Sequence, residues 1–259
     1  MRPVPDLFDL RGRVAVVTGA TKGIGRAVVE GLAGAGASVV VSSRKQDLCE
    51  AAAAEVAAAT GQAAVGLACH VGEWDAIPAF VERVHERFGG VDVLVNNAGI
   101  NPAPTPLVDV TSDYWRKIQS VNLEGPLRLS ALVAPGMRDR GGGSIINVSS
   151  VGAYTGGAGN GPYAASKAGL VVLTKVMARE WAPWRVRVNT ISPGPFVSEM
   201  MLGAERVSPG LLDRSAAATM LGRVADPSEI VGAVVYLASD ASSFVTGEDH
   251  VVSGGMLRG

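Results

Sequence analysis

Hydrophobic positions fall into short, β-branched runs separated by helix-length segments. Val14–Val17, Val39–Val41, Val65–Leu67, Val91–Val95, Ile145–Val148 and Val186–Ile191 read as strands. They are continuously apolar rather than alternating, the pattern of strands buried on both faces of a parallel sheet. Between them Ile24–Ala35, Asp47–Ala59, Trp74–Phe88, Asp113–Arg138 and Tyr163–Trp181 have the length and composition of helices. The alternation predicts an α/β fold: one Rossmann-type, doubly wound parallel sheet with helices on both faces. No linker, repeat or charge block divides residues 1–259, so a single domain is expected. Gly125-Pro126 lies inside the fourth helical segment and should kink it. The stretch around 196–222, rich in Met, Leu, Ala, Gly and Ser with weak periodicity, reads as a mobile flap ahead of a helix starting near Pro227.

Composition narrows the class. Hydrophobic residues make up 47% of the 259 and charged residues 18%, with a net charge of −1. That balance excludes a disordered chain and gives no general attraction to nucleic acid or anionic membranes. Cys49 and Cys69 suggest no disulfide framework, the N-terminal segment Met1–Leu10 lacks a signal-like apolar core, and no apolar run reaches a membrane span. A cytoplasmic protein is expected. His70, His85 and His250 lack ligand spacing, so no metal site is predicted.

The first strand runs into Thr18-Gly19-Ala20-Thr21-Lys22-Gly23-Ile24-Gly25, and a helix follows. Glycines let a backbone turn sharply beside a pyrophosphate, while the helix start offers free N–H groups. An isolated glycine cluster could be a tight turn only; its place between strand and helix is what favours phosphate binding. An NAD site carries a carboxylate at the end of the second strand. Here Ser43 and Arg44 stand there, with Lys22 in the turn, an arrangement that suits a 2′-phosphate. NADP(H) is therefore expected, with NAD(H) as the alternative. Tyr163 and Lys167 share one helix face at i, i+4, close in sequence to Ser150 at the end of the fifth strand. A nearby ammonium would favour the phenolate of an otherwise weakly acidic tyrosine.

Taken together, these motifs resemble the short-chain dehydrogenase/reductase family from about Arg11 to Leu257. The resemblance implies a catalytic set of Asn122, Ser150, Tyr163 and Lys167. It implies cofactor contacts from Gly19, Thr21, Lys22, Gly23, Ile24 and Gly25, from Ser43 and Arg44, and from Asn97, Ala98 and Gly99 within Asn96–Gly99. Further contacts would come from Val71, Tyr163, Lys167 and the turn Pro193, Gly194, Phe196 and Ser198, where Ser198 replaces the usual threonine. His70 stands where the family often has an aspartate. Tyr163 would be the general acid/base, Lys167 would lower its pKa, Ser150 would polarise the carbonyl, and Asn122 would hold a water.

The implied reaction is hydride transfer between NADP(H) and a ketone, aldehyde or secondary alcohol. Met200, Met201, Leu202, Leu211, Leu212 and Met220 suggest an apolar lid, with Tyr154 and Thr155–Gly161 on the facing wall, hence a hydrophobic substrate of medium size. The alternative is a 3-oxoacyl-carrier-protein reductase; the basic patch it would need is not obvious beside Trp184, with Arg138, Arg140, Arg179 and Arg185 as its candidate contributors. A non-catalytic cofactor-binding regulator is the rival from another class. A sugar-nucleotide epimerase would need a longer C-terminal part. The tail from Phe244 to Gly255 resembles the family's last strand, which packs between subunits, so a homotetramer is expected, with a dimer as fallback.

Overall fold

The computed structural model describes residues 3–102 and 104–257; Met1, Arg2, Ala103, Arg258 and Gly259 lie outside. Seven strands form one sheet: β1 Val14–Thr18, β2 Ser38–Ser43, β3 Ala64–Ala68, β4 Val93–Asn96, β5 Gly143–Val148, β6 Val186–Pro193 and β7 Asp249–Val252. All pairs are parallel, in the order β3-β2-β1-β4-β5-β6-β7. The order reverses between β1 and β4, and the crevice at their carboxyl ends is where such sheets bind ligands.

The unbroken apolar runs have a simple cause. Successive side chains point to opposite faces, and both faces are covered. Ala15, Val17, Val39, Val41, Val93 and Val95 enter one core, packed by the helices Gly23–Gly34, Gln46–Thr60 and Val231–Ala238. Val16, Val40, Leu94 and Ile145 enter the other, covered by Ile77–Phe88, Gly125–Asp139 and Gly161–Trp181. Among the described residues no helix is long and apolar enough to cross a membrane.

The chain departs from the expected elements in two places that matter. The segment read as one kinked helix over Asp113–Arg138 is a helix Ser112–Gln119, a π-turn Ser120–Glu124 and a second helix Gly125–Asp139. Pro126, which lacks an N–H, follows directly on this π-turn, where Gly125 N–H reaches back five residues to Ser120 O, so the missing donor coincides with the change in helix winding. The flap holds two short helices, Glu199–Val207 and Leu211–Ala217. Ser198 Oγ caps the first by accepting from Met201 N–H at 3.2 Å. The Glu205 carboxylate joins the two, accepting from Gly210 N–H at 2.7 Å and Leu212 N–H at 2.8 Å. The flap's base is pinned where Val197 N–H donates to Ala225 O and Ala225 N–H to Pro195 O, both at 2.9 Å.

Polar side chains inside the sheet hold the Gly161–Trp181 helix. Asn96 Nδ2 donates to Asn147 Oδ1 at 2.8 Å and to Ser130 Oγ at 2.9 Å. Asn147 Nδ2 donates in turn to Thr174 Oγ1 at 2.8 Å, on Gly161–Trp181. At the other end of the sheet, Asp92 accepts from the Arg140 guanidinium through two bonds of 3.0 Å and from Val14 N–H at 2.8 Å.

Candidate active site

The turn after β1 is built from bare backbone. Gly19 has φ +64° and Gly23 φ +57°, the left-handed region that glycine enters without penalty. A Cβ on Gly25 would lie 2.3 Å from Gly19 O and 2.4 Å from Asn97 Nδ2, so no larger residue fits. Asn97 Nδ2 pins the turn by donating to Thr18 O at 2.9 Å and Gly19 O at 3.1 Å. Lys22 precedes the helix Gly23–Gly34 without capping it by its side chain. The first-turn N–H groups and the positive end of the helix dipole are thus left for an anion.

This turn is one end of a cleft of about 820 Å³ along the carboxyl ends of the strands. Every residue singled out from the sequence as a cofactor contact lines it, as do Ser150, Tyr163 and Lys167. Arg44 is exposed at the end of β2, and no hydrogen bond or carboxylate partner is assigned to it among the described residues. His70 also faces the cleft, its Nδ1 accepting from Gly72 N–H at 3.1 Å.

Asn122 does not line the cleft. It is fully buried in the π-turn, where Oδ1 accepts from Ile100 N–H at 2.8 Å and Nδ2 donates to Ile100 O at 2.9 Å and Ser166 Oγ at 3.1 Å. Both amide hydrogens are used, so a water here would bond to an Asn122 oxygen. The side chain fixes the segment after β4 against the Gly161–Trp181 helix.

The Gly161–Trp181 helix starts at Pro162, and Gln119 Nε2 holds that start by donating to Pro162 O at 3.0 Å. One turn in, Ser149 Oγ donates to Lys167 O at 3.0 Å. Lys167 Nζ is buried and donates to Val148 O at 2.8 Å, lying 5.9 Å from the Tyr163 ring centre. Burial pulls its ammonium down to about 8. Ser150 Oγ accepts from Gly152 N–H at 3.0 Å, and its hydroxyl lines the cleft together with the Tyr163 phenol. Burial pushes that phenol above its ordinary value, and the nearby Ser150 hydroxyl only partly opposes the rise. The sequence expectation has Lys167 lowering the phenol; here burial is the dominant influence, and it acts in the opposite direction.

The flap contributes less than expected. Met200 and Met201 line the cleft, with Ala204, Ser215 and the unforeseen Met256 from the C-terminal tail. Leu202, Leu211 and Leu212, on the two helices, do not, and Met220, in the turn after them, is exposed beside Gly255. Tyr154 is also misplaced by the sequence reading: the short turn Gly152–Thr155 aims its hydroxyl at Asp249 of β7, and burial raises it to about 12. Thr155, Gly157 and Asn160 form the wall instead, with Ile100 and Asn101 from the loop after β4. Lys22 and Glu199, 3.7 Å apart, link the glycine turn to the flap.

A bare-backbone turn at the switch point, sharing a cleft with a phenol, a hydroxyl and a buried ammonium, defines a dinucleotide-dependent oxidoreductase site. The sequence model of the family described as Enoyl-(Acyl carrier protein) reductase matches residues 19–257. The 3-oxoacyl-(acyl-carrier-protein) reductase of Vibrio harveyi is 40% identical over 253 residues, 96% of this chain and 99% of its own. Dehydrogenase/reductase SDR family member 4 of Pongo abelii is 39% identical over 249 residues, 95% of this chain and 88% of that protein. The crystal structure of a gluconate 5-dehydrogenase from Burkholderia cenocepacia J2315 in complex with NADP and tartrate superposes with a TM-score of 0.93 at 35% identity, covering 98% of both chains. The chain belongs to the short-chain dehydrogenase/reductase family of NAD(P)-dependent oxidoreductases.

Burial of Lys167 has a measurable consequence for stability. Its folded value near 8 lies below the ordinary 10.5, so between these pH values the unfolded chain binds more protons and stability rises with pH. At neutral pH the folded form carries a penalty on the order of 3 kcal/mol, at about 1.4 kcal/mol per pH unit. Lys167→Met should therefore raise the urea midpoint at pH 7, less the loss of about 1 kcal/mol from the unpaired Val148 carbonyl. The gain should fade by pH 10. A variant that is less stable at pH 7, by a margin independent of pH, would refute this.

Proposed function

We propose that the protein transfers hydride between NADP(H) and a ketone or aldehyde, or the matching secondary alcohol, with Tyr163 exchanging the proton. The reading rests above all on one observation: the Tyr163 phenol, with Ser150 and Lys167, lines the same cleft as the glycine turn. The cradle at Gly19–Gly25, which admits no Cβ at Gly25, fits a pyrophosphate, and Arg44 with Lys22 suits a 2′-phosphate. Ser43, Val71, Asn97, Ala98, Gly99, Pro193, Gly194, Phe196 and Ser198 would complete the cofactor's enclosure. A bound nicotinamide supplies or accepts the hydride.

The chain's own groups account for the proton. A phenol held high by burial is protonated at neutral pH, the form that a carbonyl reduction needs. Ser150, its lone pair engaged by Gly152 N–H, is placed to donate to the substrate oxygen as negative charge develops there. Lys167 adds positive charge from below, and Asn122 positions both through Ser166 and Ile100. For oxidation the phenol must first be deprotonated.

A second reading, 3-oxoacyl-carrier-protein reduction, is favoured by the 40% identity to the Vibrio harveyi enzyme. Of the arginines that might dock an acidic carrier, Arg140 is engaged by Asp92, and Arg138 is paired with Asp139 and lies over the Trp184 ring. Comparing a carrier-bound thioester with a free ketone separates the two. We further expect a homotetramer. β7 is an unpaired sheet edge beside the fully exposed Phe244, and Val172 and Val176 are exposed on the catalytic helix.

Tyr163→Phe should lower turnover by about 10²–10⁴-fold while leaving dinucleotide affinity unchanged. In the wild type, kcat/KM for reduction should fall as pH rises through the phenol's titration, and that for oxidation should climb. Intact turnover in the Phe variant would remove the proposed acid/base. Arg44→Ala should reduce kcat/KM with NADPH by about 10–100-fold, the worth of one charge-assisted contact, without affecting NADH. Equal loss with both cofactors would contradict the assignment of Arg44 to the 2′-phosphate. Sedimentation of the wild type at micromolar concentration should give a tetramer; a monomer would rule that assembly out.

A further inference from the structure

Asn160 occupies the cap position of the Gly161–Trp181 helix, yet its side chain makes no capping bond. Asparagine is among the best capping residues, and forgoing that bond costs about 1 kcal/mol. The side chain is turned instead toward the loop after β4, where Asn101 Nδ2 donates to Asn160 Oδ1 at 3.3 Å. Both residues line the cleft and are partly exposed to it. The two loops are joined independently of this pair, since Thr105 N–H donates to Gly159 O at 2.9 Å and Pro104 packs against Gly159. The amide pair is therefore not needed to close the wall.

Two primary amides that share one hydrogen bond always leave one NH₂ group and one carbonyl oxygen unspent, whichever way either amide is turned. Here those are the Asn160 amide hydrogens and the Asn101 oxygen. A donor beside an acceptor matches a hydroxyl group, which can accept from one and donate to the other; a carbonyl or ether oxygen can use only the donor. Thr155, the neighbouring polar residue of the wall, donates its hydroxyl hydrogen to Val151 O at 3.3 Å. Met200, Met201 and Met256 give the cleft an apolar part as well.

We propose that Asn101 and Asn160 form a hydroxyl-recognising pair, so that the enzyme selects ketones bearing a hydroxyl group close to the reacting carbonyl over plain hydrocarbon ketones. This inference rests on the carbonyl-reduction reading above and narrows its substrate class from hydrophobic ketones to amphiphilic hydroxyketones. The pair lies on the wall opposite in sequence to the flap, in the loops after β4 and before Tyr163, and so selects without any flap movement.

The test is NADPH-dependent reduction of 1-hydroxy-2-butanone, 4-hydroxy-2-butanone and 2-butanone by the full-length enzyme. The wild type should favour at least one hydroxyketone over 2-butanone by about tenfold or more in kcat/KM, because a site built around a hydroxyl rejects the analogue lacking it. Asn101→Leu and Asn160→Leu should each abolish that preference while leaving 2-butanone nearly unaffected. Asn160→Ser, which suits a helix start, should lose the preference too and shows that the loss is not one of folding. No preference in the wild type, or an equal loss for all three ketones in the variants, overturns the proposal. Intact NADPH binding with no ketone reduced at all overturns the carbonyl-reduction reading, and this inference with it.

Discussion

One line of buried polar side chains crosses the sheet to the helix above it, and that line decides where the candidate site sits. Asn96, Asn147 and Thr174 are buried, and a buried amide without partners costs on the order of 1–3 kcal/mol. Their bonds can all be satisfied in only one register of β4 against β5, with the Gly161–Trp181 helix held over β5. With the helix so fixed, Tyr163 and Lys167 arrive at the carboxyl end of β5 beside Ser150. The Asn122 clamp and the Ser149 bond to Lys167 O act on the same helix from other sides. Apolar packing alone would tolerate a small slide of the helix; a chain of directed bonds tolerates far less.

That rigidity supports an electrostatic arrangement that folding alone would not favour. Lys167 is buried with a carbonyl as its hydrogen-bond acceptor and no carboxylate bonded to it. The phenol beside it is desolvated as well. Pairing Lys167 with an acid would relieve the burial but would neutralise the charge that catalysis can use. The site keeps the strain, as functional sites commonly do.

Much of this was legible in the amino-acid order, and the reasons are physical. Strands buried on both faces must be continuously apolar, so Val14–Val17 or Val39–Val41 could be read with errors of only a residue or two. Gly19, Gly23 and Gly25 are imposed by backbone geometry, and Tyr163 with Lys167 by helix periodicity. What escaped reading depended on contacts between distant segments. The π-turn carrying Asn122 has no compositional mark; only Gly125-Pro126 hinted at a break. The flap's two helices owe their ends to Ser198 and Glu205, a cap and a tertiary bond that weak periodicity hides. Tyr154 pointed outward because Asp249, almost a hundred residues later, was there to receive its hydroxyl. The Asn101–Asn160 pair brings together side chains 59 positions apart, and neither is conspicuous alone.

The reversal of strand order between β1 and β4 also divides labour within the chain. Lys22, Ser43 and Arg44, the residues proposed to face the 2′-phosphate of the cofactor, hang from β1 and β2 on one flank. The proposed proton-transfer groups and the Asn101–Asn160 amides belong to the segments that follow β4 and β5. The two flanks meet along a single seam, pinned by Asn97 reaching from after β4 to the glycine turn. Such a plan lets evolution or a protein engineer exchange the electron carrier without rebuilding the substrate chamber, and reshape the chamber without disturbing the carrier.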